Sequence, residues 1–339
     1  VVFVTPGPWP AYGTGGEYDH LAERLRRMSF EVTQWTPALR NRSTGAPMST
    51  TAEPTPKDGQ RVVWVLQMRT LQHQTAPSLD SPRDRIVNTI RDRVARGDRA
   101  MIVLGPEPDT PVDPQDPLMR WLAEWDIRPL LQQAAAHEVP IGDRQTVGTY
   151  RFDIDRWPSD TPMSAVLKGM VGHVTIAAPL IVGDGVNVGA RLWPLIELTE
   201  PRMWAETKFE TRYPVYEESA ARDRFVIAAA GERGDERIVV LSDPSWPSDR
   251  LVKAGIVDPQ SKQLLISRFP ANAEFFINSV YWLAGREELI AISARLQDIR
   301  RIQPMDATRV RTVQAIVLIG LPALPVIAGA AVWLVRRRG

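Results

Sequence analysis

No cysteine occurs among the 339 residues. This excludes disulfides, thiolate zinc sites, iron–sulfur clusters and every thiol nucleophile, and it leaves either side of a membrane open to the chain. Lysine is scarce, at five of the 41 basic residues. The four histidines, His20, His73, His137 and His173, stand in no H-x-x-x-H or H-E-x-x-H spacing, so no metal centre is expected. Net charge is nearly absent: 41 basic against 40 acidic residues leave +1. That balance excludes the basic excess of a nucleic-acid binder. G-x-G-x-x-G, P-loop and G-x-S-x-G signatures are missing as well, so neither a cofactor nor a catalytic residue is expected. No leader peptide opens the chain. Residues 1–5 read as a strand, and a segment upstream of them is expected.

What is present is a globular composition, 44% hydrophobic and 24% charged. A mean hydropathy of −0.20 conceals one extreme stretch, residues 313–335, which carries no charge. As a helix rising about 1.5 Å per residue it would reach roughly 34 Å, against a hydrocarbon core of about 30 Å. Pro322 and Pro325 are tolerable there as a kink, Trp333 falls at interfacial depth, and Arg336, Arg337 and Arg338 end the apolar run. The sequence therefore predicts a transmembrane helix over 312–335, a basic tail over 336–339 and a lipid bilayer as partner. Arginines flank the span on both sides, so charge alone does not orient it.

Upstream, strand and helix signals alternate. Residues 1–5, 62–66, 100–104 and 238–241 are continuous apolar runs of the buried-strand type. Between them lie helical patterns. Residues 17–28 place Tyr18, Leu21, Leu25 and Met28 on one face. Ser81-Pro82 starts a helix that buries Ile86, Ile90 and Val94, and residues 271–284 bury Phe275, Phe276, Val280 and Leu283. This predicts a doubly wound, mostly parallel α/β sheet over residues 1–293. Its first half covers 1–130, a β-rich insertion, mixed or antiparallel for want of convincing helices, covers 140–230, and the chain returns to the sheet over 231–293. A juxtamembrane connector follows over 294–311.

Candidate sites come from position more than from motif. Gly13, Thr14, Gly15 and Gly16 lie between the first strand and the first helix, where such folds place phosphate-binding turns. Asp243 ends a buried strand, on the side where ligand crevices form. Among eleven tryptophans, Trp64, Trp121, Trp125, Trp193 and Trp282 fall on helix or strand faces and read as core. Trp9, Trp157 and Trp246 each precede a proline in a loop, which makes them candidate partner contacts.

Taken in order along the chain, several segments resemble the GldG-type auxiliary components of ABC transporters. They are Phe30-Glu31-Val32, the strand at 62–66, the helix–turn–strand module at 84–104, Pro117 to Ile127, Leu195 to Trp204, Arg237 to Trp246, Asn272 to Gly285, and the proline-containing span closing in arginines at 321–338. Asp98 and Asp126 stand where that family usually has glycine, and its N-terminal transmembrane segment is missing from this chain. The resemblance implies a flavodoxin-like, class I amidotransferase-like soluble domain without the thiol that amidotransfer needs. It further implies a bacterial inner-membrane protein with its soluble domain extracytoplasmic, its C-terminus cytoplasmic, and ABC permease and ATPase subunits as partners. The expected function is that of a non-catalytic, membrane-anchored auxiliary subunit whose soluble domain binds a partner protein or a substrate. The alternatives are a tethered hydrolase or carbohydrate-active enzyme using carboxylates that converge with Asp243, and an envelope scaffold.

Overall fold

The apolar runs build the centre of a nine-stranded mixed sheet. The computed structural model describes residues 1–5, 11–13, 16–37, 51–55, 60–67, 83–107, 113, 115–141, 145–208, 213–257 and 264–290, with single positions at 318, 323, 333, 336 and 337. Residues 1–295 form one unit and residues 296–339 a second.

Within the first unit the strands run β1 (Val2–Val4), β2 (Thr33–Trp35), β3 (Val63–Gln67), β4 (Arg99–Val103), β5 (Ile127–Pro129), β6 (Ala134–Ile141), β7 (Gln145–Thr149), β8 (Phe152–Ile154) and β9 (Gly172–Val174). They continue as β10 (Leu180–Val182), β11 (Arg191–Leu198), β12 (Met203–Glu206), β13 (Ala221–Arg222), β14 (Phe225–Arg233), β15 (Glu236–Leu241), β16 (Gly255–Val257) and β17 (Leu264–Ser267). The helices are α1 (Asp19–Arg27), α2 (Arg83–Val94), α3 (Pro117–Ala123), α4 (Pro162–Ala165), α5 (Asp249–Val252) and α6 (Pro270–Leu283).

Strands β2, β1, β3, β4 and β15 lie side by side and parallel. Successive side chains of a strand face opposite ways, so each of these strands feeds two layers. Phe3, Val63, Val65, Met101 and Val239 join Leu21 and Leu25 of α1 and Phe275, Phe276 and Val280 of α6. Val2, Trp64, Leu66, Ile102 and Val240 join Ile86 and Ile90 of α2 and Trp121 of α3. With both faces covered, no polar alternation is left in the sequence.

Beyond β15 the sheet reverses. β14 is antiparallel to β15, β10 and β11 are antiparallel to β14, and β5 is antiparallel to β10. A second sheet, β13-β12-β6-β7, and two ribbons, β8–β9 and β16–β17, are antiparallel throughout. Nine of the thirteen strand pairings among the described residues are thus antiparallel. The expectation of a doubly wound, mostly parallel sheet of flavodoxin-like or amidotransferase-like type is overturned. The physical reason lies in the connections. β14 reaches β15 through Gly234-Asp235, with Gly234 in the left-handed region at φ 57°. A two-residue turn cannot carry a parallel crossover.

The expected transmembrane helix is not supported either. Among the described residues no helix is long and apolar enough to cross a membrane. The longest, α6, has 14 residues, about 21 Å of helix against a hydrocarbon core of about 30 Å. Of the apolar run at 313–335, only Leu318, Ala323 and Trp333 are described, and the remainder, including Pro322 and Pro325, lies outside the described residues. Arg336 and Arg337 are exposed, the Arg337 guanidinium lies over the Trp333 ring at 5.0 Å, and Arg338 is outside the described set.

Two positions at which the GldG-type pattern has glycine are filled by acids with structural work. Asp98 is buried, and its carboxylate accepts the Val62 amide at 3.1 Å and Trp64 Nε1 at 3.0 Å, tying the start of β3 to β4. Asp126 takes the left-handed conformation at φ 54°, which short polar side chains tolerate better than most. Its carboxylate also accepts the Gly185 amide.

Candidate functional site

Ser242 and Asp243 follow directly on β15, at the C-terminal edge of the parallel strands. Both are fully buried. Ser242 Oγ donates to the Ile227 carbonyl at 2.9 Å. Asp243 Oδ2 accepts the Thr175 amide at 2.7 Å and Oδ1 accepts the Ser245 amide at 2.8 Å. The carboxylate thereby ties the end of β15 to the segment after β9 and closes its own turn. Trp246, one helical step further on, is also fully buried, with Nε1 donating to the Asn272 carbonyl at 3.1 Å. Asn272, near the start of α6, answers through Nδ2 to the carbonyls of Trp246 and His173, and it accepts the His173 amide. Three elements distant in sequence are locked here by backbone-directed bonds.

The glycine turn is occupied by its own chain. The Gly13 amide donates to Asp19 Oδ1 at 3.1 Å and the Gly16 amide to the Gly13 carbonyl at 2.9 Å, so neither of these N–H groups is held for a phosphate. Thr14, Gly15 and Trp9 lie outside the described residues. This turn and the segment after Asp243 meet through Asp249. Its amide donates to the Glu17 carbonyl, and its carboxylate accepts the His20 amide.

Trp157 occupies a different setting. It is half-buried, with Nε1 donating to the Met170 carbonyl at 3.0 Å. Its ring meets Trp246 edge-on at 6.3 Å and stacks beside Phe275 at 6.5 Å. Space for this comes from Gly172, where a Cβ would stand 2.7 Å from Trp246 and 3.2 Å from Trp157. Two of the three Trp-Pro tryptophans are therefore brought together, Trp246 as the inner support and Trp157 as the outer wall.

That wall borders a cleft of about 380 Å³, lined by Arg156, Trp157, Pro158, Asp160, Pro194, Glu197 and Thr199. A second hollow of about 160 Å³, reaching to Asp153, Asp155 and Glu200, shares Arg156, Glu197 and Thr199 with it. The two adjoin along these three residues as one trough, whose larger part falls within the size range of ligand sites. Its ionisable lining is five carboxylates, Asp153, Asp155, Asp160, Glu197 and Glu200, against the single Arg156. Glu197 pairs with Arg224 at 3.3 Å. Asp153 Oδ1 meets His173 Nδ1 at 2.6 Å, and this hydrogen bond holds the Asp153 carboxyl below the usual carboxylate range. Another cleft, of about 390 Å³, lies at the N-terminal ends of β1, β2 and β3 and has no aromatic wall. Among the described residues no group of three or more His, Asp and Glu side chains is disposed to hold a metal.

Sequence reasoning singled out Trp157 but not the carboxylates around it. A signal for two of them was present. In Phe152-Asp153-Ile154-Asp155 the apolar pair is buried and the acidic pair faces the trough, the period-two alternation of a half-buried strand. Pro194, Glu197 and Glu200 reach the trough only because β11 and the turn after it fold past Trp157, which no local pattern encodes.

No protein-family model matches the chain, and no curated protein does. Among solved structures, the mmIFT52 N-terminal domain aligns with 84% of this chain and 97% of its own length, at 12% identity and a TM-score of 0.47. That likeness is too slight to bear on fold or function, and none of these findings bears on the GldG-type resemblance.

Proposed function

We propose that residues 1–295 act as a non-catalytic binding body, an auxiliary subunit that docks a partner protein in the trough walled by Trp157. The observation that carries this reading is the construction of the wall. A half-exposed tryptophan, braced from behind by Trp246 and Phe275 and tied at Nε1, presents a preorganised aromatic surface at the edge of an open cleft, the kind of anchor on which protein interfaces concentrate their binding energy. The acid that could have led a hydrolytic reading, Asp243, has no exposed surface and gives both oxygens to backbone amides. It serves the support of the wall.

The resemblance noted in the sequence makes an ABC permease or ATPase the first partner to test. The tagged full chain, expressed in its native cells, is expected to co-purify with such a subunit identified by mass spectrometry. The double variant Asp160→Arg/Glu197→Arg is expected to lose it while keeping the parent thermal transition. Undiminished co-purification by that variant refutes docking in the trough.

A further inference from the structure

Among the described residues up to 290, seven aromatic rings carry an arginine of the same chain over one face. Arg26 lies over Tyr12, Arg191 over Trp193, Arg202 over Tyr216, Arg233 over Trp125, Arg237 over Trp282, Arg268 over Phe269 and Arg286 over Phe30, at 4.3 to 5.3 Å from the ring centroids. Of the tryptophans described in that unit, seven are buried: Trp125 and Trp282 each beneath an arginine, and Trp35, Trp64, Trp121, Trp204 and Trp246 with none over them among the described residues. Trp193 is half-buried and carries its arginine. Trp157 is half-buried as well, yet among the described residues no guanidinium lies over it. The trough beside it has the opposite charge to a guanidinium. Five carboxylates line it against one arginine, and Asp155, Asp160 and Glu200 form no ion pair among the described residues.

We infer that the trough takes a positively charged peptide segment of the partner, with an arginine side chain lying against Trp157 and its guanidinium turned toward Asp160. This rests on the docking reading above and gives the partner its chemistry. Three properties of the site favour that occupant. The indole face attracts a cation through its quadrupole. Pro158 and Pro194 offer an apolar bed for the methylene stem of the side chain. The surplus of carboxylates steers a cationic segment inward and repels an acidic one. A neutral carbohydrate also stacks on indoles, but it gains nothing from the surplus of acid that Asp155, Asp160 and Glu200 leave over Arg156.

The test uses the full chain and fluorescence anisotropy with three labelled peptides of one length: an arginine–glycine repeat, the same repeat with citrulline, and the same with glutamate. Citrulline keeps the shape and removes the charge. The arginine peptide is expected to bind about tenfold or more tighter than the citrulline peptide and to weaken as sodium chloride rises from about 50 to about 300 mM. The variant Asp155→Asn/Asp160→Asn/Glu200→Gln is expected to lose the preference, and Trp157→Leu to lose it as well. Trp157→Phe should retain part of it, and the control Glu217→Gln/Glu218→Gln, away from the trough, should keep all of it. Circular dichroism confirms the fold of each variant. Equal binding of the citrulline peptide, unchanged binding by the trough variant, or saturable binding of a neutral oligosaccharide with no peptide binding each overturns the inference. If the partner co-purifies through the trough but the arginine peptide does not bind, the cationic assignment alone falls. If the peptide binds in the trough and the partner ignores the trough variants, it is the docking reading that falls.

Discussion

Replacing Asp243 by alanine separates a structural carboxylate from a chemical one. In the folded chain the group is wholly removed from solvent, and it accepts two backbone amides at 2.7 and 2.8 Å. A hydrogen bond to a charged acceptor contributes about 1.5–3 kcal/mol net, and a donor left without a partner in the interior costs about as much. Two such bonds set the expected loss at about 3 kcal/mol or more, roughly a hundredfold in the folding equilibrium. Asparagine in the same place keeps one acceptor oxygen but sets an NH₂ against the second amide, so Asp243→Asn should fall between alanine and the parent. The assay is urea denaturation followed by far-ultraviolet circular dichroism and tryptophan fluorescence, read as a shift of the midpoint at constant slope. An alanine variant within about 0.5 kcal/mol of the parent, the ordinary range of a surface change, refutes the reasoning that Asp243 is a tie between β15 and its neighbours.

Gly172→Ala introduces a Cβ 2.7 Å from the Trp246 ring and 3.2 Å from Trp157. It is expected to cost about 1–3 kcal/mol by overpacking and to loosen Trp157 enough to weaken peptide binding, and an unchanged melting temperature with unchanged affinity would count against this packing account. Asp98→Gly strands the Val62 amide and Trp64 Nε1. A loss of about 2–4 kcal/mol is expected in the same urea assay, and a neutral or stabilising result contradicts the clamp. Burial above all, with Arg24 adding, lowers the His20 pKa from its ordinary 6.5. The unfolded chain then takes up a proton first as pH falls, so stability contributed by neutral His20 is present above about pH 6.5 and lost below it. His20→Gln should flatten that part of the stability–pH curve, and a parallel curve sinks the assignment. The Asp153 carboxyl, lowered mainly by its bond to His173, has its contribution present above the ordinary aspartate range and lost as pH drops through its lowered value. The stability difference between parent and Asp153→Asn should therefore shrink toward pH 3, as urea midpoints at several pH values will show.

Those strands of the core built on a continuous apolar run were visible in the sequence, because burial on both faces favours apolar residues at every position, and β1, β3, β4 and β15 are of this kind, with polar residues only at their ends. The same property leaves the direction of β14 unmarked in its own residues, although the lack of helices over 140–230 points to a mixed or antiparallel addition there. Phe225–Arg233 is as uniformly buried through its centre as any parallel strand, and only the Gly234-Asp235 turn shows that it must run antiparallel to β15. Composition does not reveal direction. The expectation of a membrane-crossing helix came from the length of an apolar run, and the described helices do not reach it. At the site, Trp157 stood out through its loop and its proline, as did Trp246. What put one at the surface and the other inside was the approach of α6, with Phe275 set 5.8 Å from the Trp246 ring and 6.5 Å from that of Trp157. Pro194, Glu197 and Glu200 belong to the trough through long-range folding alone, so no spacing rule reaches them.

Helix α6 has no wet side. Every residue from Ala271 to Leu283 is buried, Asn272, Glu274, Asn278 and Ser279 among them, and Arg24 reaches across from α1 to pair with Glu274 at 2.6 Å. On the ribosome this piece is made after every described strand that it covers. Until it arrives, Phe3, Val63, Val65, Met101 and Val239 keep α1 beside them but lack Phe275, Phe276 and Val280, which complete their layer, so a growing or truncated polypeptide that stops short of residue 270 leaves part of an apolar face open to the cell. Biosynthesis of this protein therefore passes through a stage exposed to chaperones and to self-association, which ends only when α6 seats.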